Sequence, residues 1–229
     1  VADQDVLVLK RFDRNGSTGI PYLSAMTLLG KADHESADYV ELAGAVRSSS
    51  AEPKAALAEL FDRVLHSVLL RNTDDHLRNH GFLRAPSGWV PSPVFDVNPT
   101  WEGSASRATS IAGAVTPQDE PEGLLELASH CALDAEAARA RIERALEVTQ
   151  DVGAMAAKRG LDRSTTGHLV EMVRERQAAL TTALRNTPRA TPMAVTRTGG
   201  TLRVAPGHPR AGQFARKSAE SAARQTLSV

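Results

Sequence analysis

The chain has 229 residues, 27 basic against 27 acidic side chains, and 41% hydrophobic residues, an ordinary globular composition long enough to bury a sizeable core. Its single cysteine, Cys131, excludes an internal disulfide or a cysteine-based zinc site within one chain. No apolar run approaches the length of a bilayer span and Val1-Ala2-Asp3 has no signal-peptide character, so a cytoplasmic protein with no membrane role is expected.

In chain order, Val6 to Leu9 reads as a short apolar strand and Asn15 to Gly19 as a turn. Pro21 to Leu29 gives a short element stopped by Gly30, and Ser36 to Arg47 a helix. After Ser48-Ser49-Ser50 comes the strongest periodic signal. Leu57, Leu60, Phe61, Val64, Leu65, Val68 and Leu69 recur at the three-and-four spacing of one buried helical face, with Pro53 in the opening turn where a helix tolerates it. Gly81-Phe82-Leu83 and Trp89-Val90 flank Pro86-Ser87-Gly88 and predict a hairpin. Trp101 to Pro121 is irregular apart from a strand at Ser110-Ile111-Ala112. Three helices follow: Glu122 to His130; one capped by Asp134 and running to about Arg159; and one capped by Ser164 or Thr165 and running to about Arg185, with Gly160 as the stop between the last two. The predicted fold class is α+β, mainly helical, with a small β-hairpin.

The apolar helix delivers a polar loop, Asn72-Thr73-Asp74-Asp75-His76-Leu77-Arg78-Asn79-His80, and the hairpin leads to Phe95-Asp96. This layout suits phosphoryl transfer. One carboxylate, Asp74, orients and deprotonates a hydroxyl, while an amide oxygen on Asn79 and a second carboxylate on Asp96 hold magnesium against phosphates. Protein kinases place a catalytic-loop Asp, an Asn and a metal-binding Asp in this order. Asp75 is expected to face solvent or assist rather than act as the base. Imidazole with carboxylate also permits a metal-dependent hydrolase built on Asp74, Asp75, His76 and His80, though this leaves Asn79 and Asp96 without a role.

Asn72 to Phe82 and Ser92-Pro93-Val94-Phe95-Asp96-Val97-Asn98-Pro99-Thr100 together closely resemble the HipA-like serine/threonine kinases, toxins of bacterial toxin–antitoxin pairs. Leu7-Val8-Leu9-Lys10-Arg11-Phe12-Asp13-Arg14 is similar to that family's hinge strand, with Lys10 where an acidic residue is usual. The resemblance implies a kinase C-lobe of the HipA type over 15–186, a hinge-like remnant of the N-lobe over 1–14, Phe12 and His76 at the nucleotide, ATP and Mg2+ as substrate and cofactor, and a protein substrate offering a Ser or Thr hydroxyl. It also implies a HipB-like antitoxin as partner, with DNA met only through that partner. A glycine-rich phosphate cover and its lysine do not precede the hinge-like segment, and Lys10 and Lys31 are weak candidates for the latter. The N-lobe is therefore expected to be largely absent from residues 1–229, or supplied as a separate polypeptide, and these residues alone are expected not to transfer phosphate at a useful rate. The competing reading is a non-catalytic lobe that binds an antitoxin-like DNA-binding partner.

From Thr187 onward Arg189, Arg197, Arg203, Arg210, Arg216, Lys217 and Arg224 stand against Glu220 alone. Residues 187–229 read as a flexible basic tail. Its charges are thinly spread and carry no aromatic platform, which favours a solvated terminus over a nucleic-acid contact.

Overall fold

The computed structural model describes residues 8–33, 35–101 and 106–187. A tight hairpin opens it: β1 (Arg14–Asn15) and β2 (Thr18–Gly19) pair across Gly16, whose φ of 60° is the left-handed backbone that glycine adopts without strain. The predicted element over 21–29 is two elements, β3 (Tyr22–Ser24) and α1 (Ala25–Leu29). Ser24 caps α1, and Gly30 ends it at a φ of 65°. After β4 (Ala37–Asp38), α2 (Tyr39–Ser49) begins with a capping box between Asp38 and Glu41.

The helix α3 (Pro53–Leu69) has Pro53 in its first turn and buries the predicted stripe, from Leu57 to Leu69, in the main core. Tyr39, Leu42 and Val46 of α2 pack into the same core. The predicted hairpin forms as β5 (Gly81–Ala85) and β6 (Gly88–Pro91), with Phe82 opposite Pro91 and Arg84 opposite Trp89. It gains a third strand that periodicity does not signal, β3, which pairs antiparallel with β5 in the register Ser24 to Gly81. The hairpin turn docks on the α2–α3 junction, where the Ala51 amide donates to the Trp89 carbonyl at 2.9 Å. A β-carbon at Gly88 would lie 2.7 Å from both the Ala51 nitrogen and the Ser49 oxygen. Backbone cannot swing aside as a side chain can, so Gly88→Ala should destabilise the protein by about 1–3 kcal/mol in urea titrations, in keeping with overpacking at a rigid contact.

Downstream, β7 (Thr109–Ser110) pairs in parallel with β4, one residue earlier than expected. The helix α4 (Glu120–His130) starts two residues before the predicted Glu122. The predicted long helix over 134–159 is broken into α5 (Ala135–Val148) and α6 (Val152–Lys158). At the break the Thr149 hydroxyl turns back to the Ala145 carbonyl at 2.7 Å and accepts from Gln177 Nε2 at 2.9 Å. The two halves also serve different cores. Ala138, Ile142 and Ala145 face the main one, whereas Val152 and Ala156 pack on a smaller cluster of Leu169, Met172 and Val173. The last helix, α7 (Arg163–Asn186), is capped by Asp162 rather than by Ser164 or Thr165. The Asp162 carboxylate accepts from the Ser164 and Thr165 amides at 2.9 and 3.0 Å, since a carboxylate reaches the first free amides more readily than a hydroxyl already inside the helix.

Of the strand expected over Val6 to Leu9, the first two residues lie outside the described residues; Val8 and Leu9 form no strand and are 84% and 67% exposed, with no described strand alongside to pair with them. The basic tail beyond 187 lies outside the described residues.

Candidate active site

The polar loop is held from both ends. Its first residue is tied to the end of α3: the Asn72 amide donates to the Ser67 carbonyl at 2.8 Å, and the Ser67 hydroxyl donates to the Asn72 carbonyl at 2.9 Å. Arg71, just before it, turns the chain with a φ of 50°. Thr73 is buried, its hydroxyl 2.8 Å from that of Thr100, and its carbonyl accepts from the Ala108 amide at 2.9 Å. At the far end the His80 carbonyl accepts from the Ala25 amide at 2.7 Å, just before β5 begins. Between these anchors Leu77–Asn79 forms a single 3-10 turn.

Asp74 is exposed. Its carbonyl accepts from Asn79 Nδ2 at 3.3 Å, which ties the two residues together and leaves the Asn79 amide oxygen as the end able to accept a cation. Asn79 lines a cleft of about 420 Å³ with His66, Leu70, Val94, Phe95 and Val97. Phe95 stacks on Phe12 with ring centroids 5.8 Å apart and an interplanar angle of 26°, and Phe12 leans on Tyr22 at 6.2 Å. These three rings line a neighbouring cleft of about 470 Å³ that also includes Leu9 and Pro93. Asp96, next to the stacked Phe95, is exposed, has a φ of 56°, and accepts from Asn98 Nδ2 at 2.8 Å. A non-glycine residue in this left-handed region costs conformational energy, which is tolerated most often at functional positions.

The structure thus brings Phe12 to Phe95 and Asn79 to Asp74. It places His76 elsewhere. His76 lines a different cleft, of about 490 Å³, with Asp33, Ser36, Arg78 and Thr109, and its Nδ1 is buried without a hydrogen-bond partner. Arg78 pairs with Asp33 at 2.5 Å. Lys31 is engaged by the Ser36 carbonyl at 3.0 Å and by Glu41 at 3.2 Å, which accounts for its charge locally.

Asp75, expected to face solvent or to assist, is buried, which corrects the first of these. It is 4% exposed, at the centre of a buried polar cluster. The Tyr39 hydroxyl donates to Asp75 Oδ2, His80 Nε2 lies 2.9 Å from both Asp75 Oδ1 and the Tyr39 oxygen, and Arg107 Nη2 approaches Asp75 at 3.6 Å. Arg107 also donates to Ser67 Oγ, to the Asn72 carbonyl at 3.2 Å, and to Glu120 at 3.0 Å; Glu120 in turn accepts from Arg176 of α7. Nothing local signals this cluster, because Tyr39 and Arg107 lie far from Asp75 in sequence and Arg107 comes from an irregular stretch. The set Asp74, Asp75, His76 and His80 is divided by it: Asp75 and His80 bond to each other, and His76 lines a separate cleft. Among the described residues, no group of three or more His, Cys, Asp or Glu side chains is placed to hold a metal ion.

Burial pushes the Asp75 carboxyl up, but hydrogen bonds from His80 and Tyr39, with the Arg107 charge, outweigh it and leave its pKa at about 2. The same burial, with the Asp75 charge, raises the Tyr39 phenol well above its ordinary value. A carboxylate whose pKa is lower in the folded than in the unfolded state stabilises the fold above the unfolded value, and that contribution is lost as pH falls through the folded one. Asp75 should therefore contribute about 2 kcal/mol that disappears between about pH 4 and pH 2. Urea midpoints measured across that window should fall more steeply for the native protein than for Asp75→Asn, in which the titrating group is gone.

The fold is mixed α and β, mainly helical, with small sheets, and that sets its class. Residues 1–153 match the family model of the HipA-like C-terminal domain, and the chain belongs to that family. The structure is also similar to HipA in the Shewanella oneidensis MR-1 toxin–antitoxin complex of HipA, HipB and operator DNA, with a TM-score of 0.62 at 16% identity over 79% of this chain and 50% of that one. At that identity the likeness is one of fold, and the chain spans about half the length of the protein it matches. No curated protein sequence matches it.

Proposed function

We propose that the chain is the C-lobe of a serine/threonine protein kinase, the toxin of a toxin–antitoxin pair, which transfers the γ-phosphate of ATP to a protein hydroxyl. The observation that supports this reading is the cleft shared by Asn79 and Phe95, which come from two separate segments. Asn79 is hydrogen-bonded to the Asp74 backbone and shares a cleft with Phe95, which stacks on Phe12 and precedes Asp96. Asp74 accepts the proton of the substrate hydroxyl and aims its oxygen at the phosphorus. Phe12, Tyr22 and Phe95 offer an apolar shelf for the adenine. Asn79 and Asp96 provide hard oxygen donors of the kind magnesium takes alongside nucleotide phosphates, and a magnesium ion held there would supply positive charge to offset that of the phosphates. His76 lines a different cleft from Asn79, with Asp33 and Arg78, and is assigned no contact with the phosphates.

A HipB-like antitoxin as partner, DNA contact only through it, and a cytoplasmic site belong to the same proposal. The family match and the fold shared with HipA in its complex support it. No described helix is long and apolar enough to cross a membrane. The test is transfer from radiolabelled ATP to a serine-containing protein, by residues 1–229 with and without an N-lobe supplied by fusion or in trans. Transfer is expected with the lobe and not without it. No transfer in any combination, with ATP and magnesium bound, would favour the non-catalytic binding module.

A further inference from the structure

Asp74 is an exposed residue between two buried ones, Thr73 and Asp75. Among the described residues its side chain has no hydrogen bond or ion pair that would orient it, so its position is inherited from its neighbours. Asp75 is the better held of the two. Tyr39 of α2 and His80 at the loop's end both bond its carboxylate, and the Tyr39 and His80 rings meet edge to face at 5.3 Å and 86°. Arg107 spans the loop from the other side. One guanidinium reaches the Asn72 carbonyl before Asp74 and the Asp75 carboxylate after it, while its second nitrogen is fixed by Glu120.

We propose that this cluster sets the position of the Asp74 carboxylate, so that Tyr39 and Arg107 are positioning residues for phosphoryl transfer although neither lines the Asn79 cleft. The kinetic part rests on the kinase reading above; the structural part does not. Holding the fold does not require ions here, since well-packed apolar groups of equal volume stabilise a core as well as a buried ion pair does. Directional bonds to one carboxylate and one carbonyl do something apolar packing cannot: they fix where a short loop sits along all three axes. That matters because a shift of about 1 Å in a reacting group can cost on the order of a hundredfold in rate.

The discriminating variant is Tyr39→Phe, which keeps the ring against His80 and removes only the hydroxyl. Hydrogen–deuterium exchange should show the amides of 72–79 exchanging about tenfold faster, with α5 and α7 unchanged, as expected for a local loosening. In the N-lobe-supplied protein, kcat should fall about tenfold with KM for ATP unchanged and the Tm lower by only a few degrees, the pattern of a misplaced group rather than lost binding. Arg107→Lys, which keeps the charge but loses the fork, should do the same and serves if Tyr39→Phe does not fold. Unchanged exchange in 72–79 would overturn the proposal, as would a kcat that falls only in proportion to the loss of folded protein. If the kinase reading itself fails, the unmodified protein shows no Asp74-dependent transfer, and the exchange measurement still decides whether the cluster holds the loop.

Discussion

Asp74→Asn should slow phosphoryl transfer by about two to four orders of magnitude, the usual contribution of a positioned general base, with the Tm unchanged to within a degree or two. The substitution is close to isosteric, and the Asp74 side chain is exposed, so no packing is lost. The tether from Asn79 is made to the Asp74 backbone carbonyl and survives the change. What goes is the exposed carboxylate proposed to take the substrate proton. Asp75, one residue on, cannot substitute, because its two oxygens are already engaged by Tyr39 and His80 inside the core. Single-turnover transfer with the N-lobe supplied would measure this, and full activity in the variant would remove Asp74 from the mechanism.

The largest effect on stability is expected at Glu120→Ala. Glu120 is 1% exposed and bridges two buried guanidinium groups, Arg107 and Arg176. Burial already depresses the Arg176 pKa, and the Glu120 charge works against that. Removing the carboxylate leaves two buried cations facing each other, with Asp75 still 3.6 Å from Arg107 but no carboxylate bridging the pair, which costs about 3–5 kcal/mol where a buried pair is broken from one side. Set against a typical total of about 5–15 kcal/mol, that is enough to leave a marginal domain partly unfolded. Chemical denaturation of Glu120→Ala beside Glu126→Ala, an exposed residue of the same helix, measures it; the second should change stability by no more than about 0.5 kcal/mol. Equal midpoints for the two variants would contradict the bridging role.

Local signals carried much of this architecture. The α3 stripe, Pro53 at its start, the turn at Pro86 to Gly88, the Asp134 cap and the Gly160 stop are all patterns within a few residues of one another. What sequence could not reveal is of another kind. The pairing of β3 with β5 and of β4 with β7 depends on β3, β4 and β7, strands of two or three residues that are too short to show a period. At the break after Val148, Thr149 accepts from Gln177, a contact made only in the folded chain. Of the two expectations for Asp75, facing solvent or assisting, the first failed for the same reason. Two adjacent carboxylates in a polar loop look alike in sequence, and only Tyr39, His80 and Arg107 separate the buried one from the exposed one.

The central claim is that Asn79 and Asp96 hold magnesium against the phosphates of a nucleotide lying on the Phe12–Phe95 stack. Titration calorimetry with ATP, in the N-lobe-supplied protein, with and without magnesium, tests it most directly. The native protein should bind ATP with an affinity that rises on adding magnesium. Asn79→Ala should weaken that dependence and Asp96→Ala should abolish it, while magnesium alone binds weakly to all three. Magnesium-dependent ATP binding that is unchanged in Asp96→Ala would contradict the account.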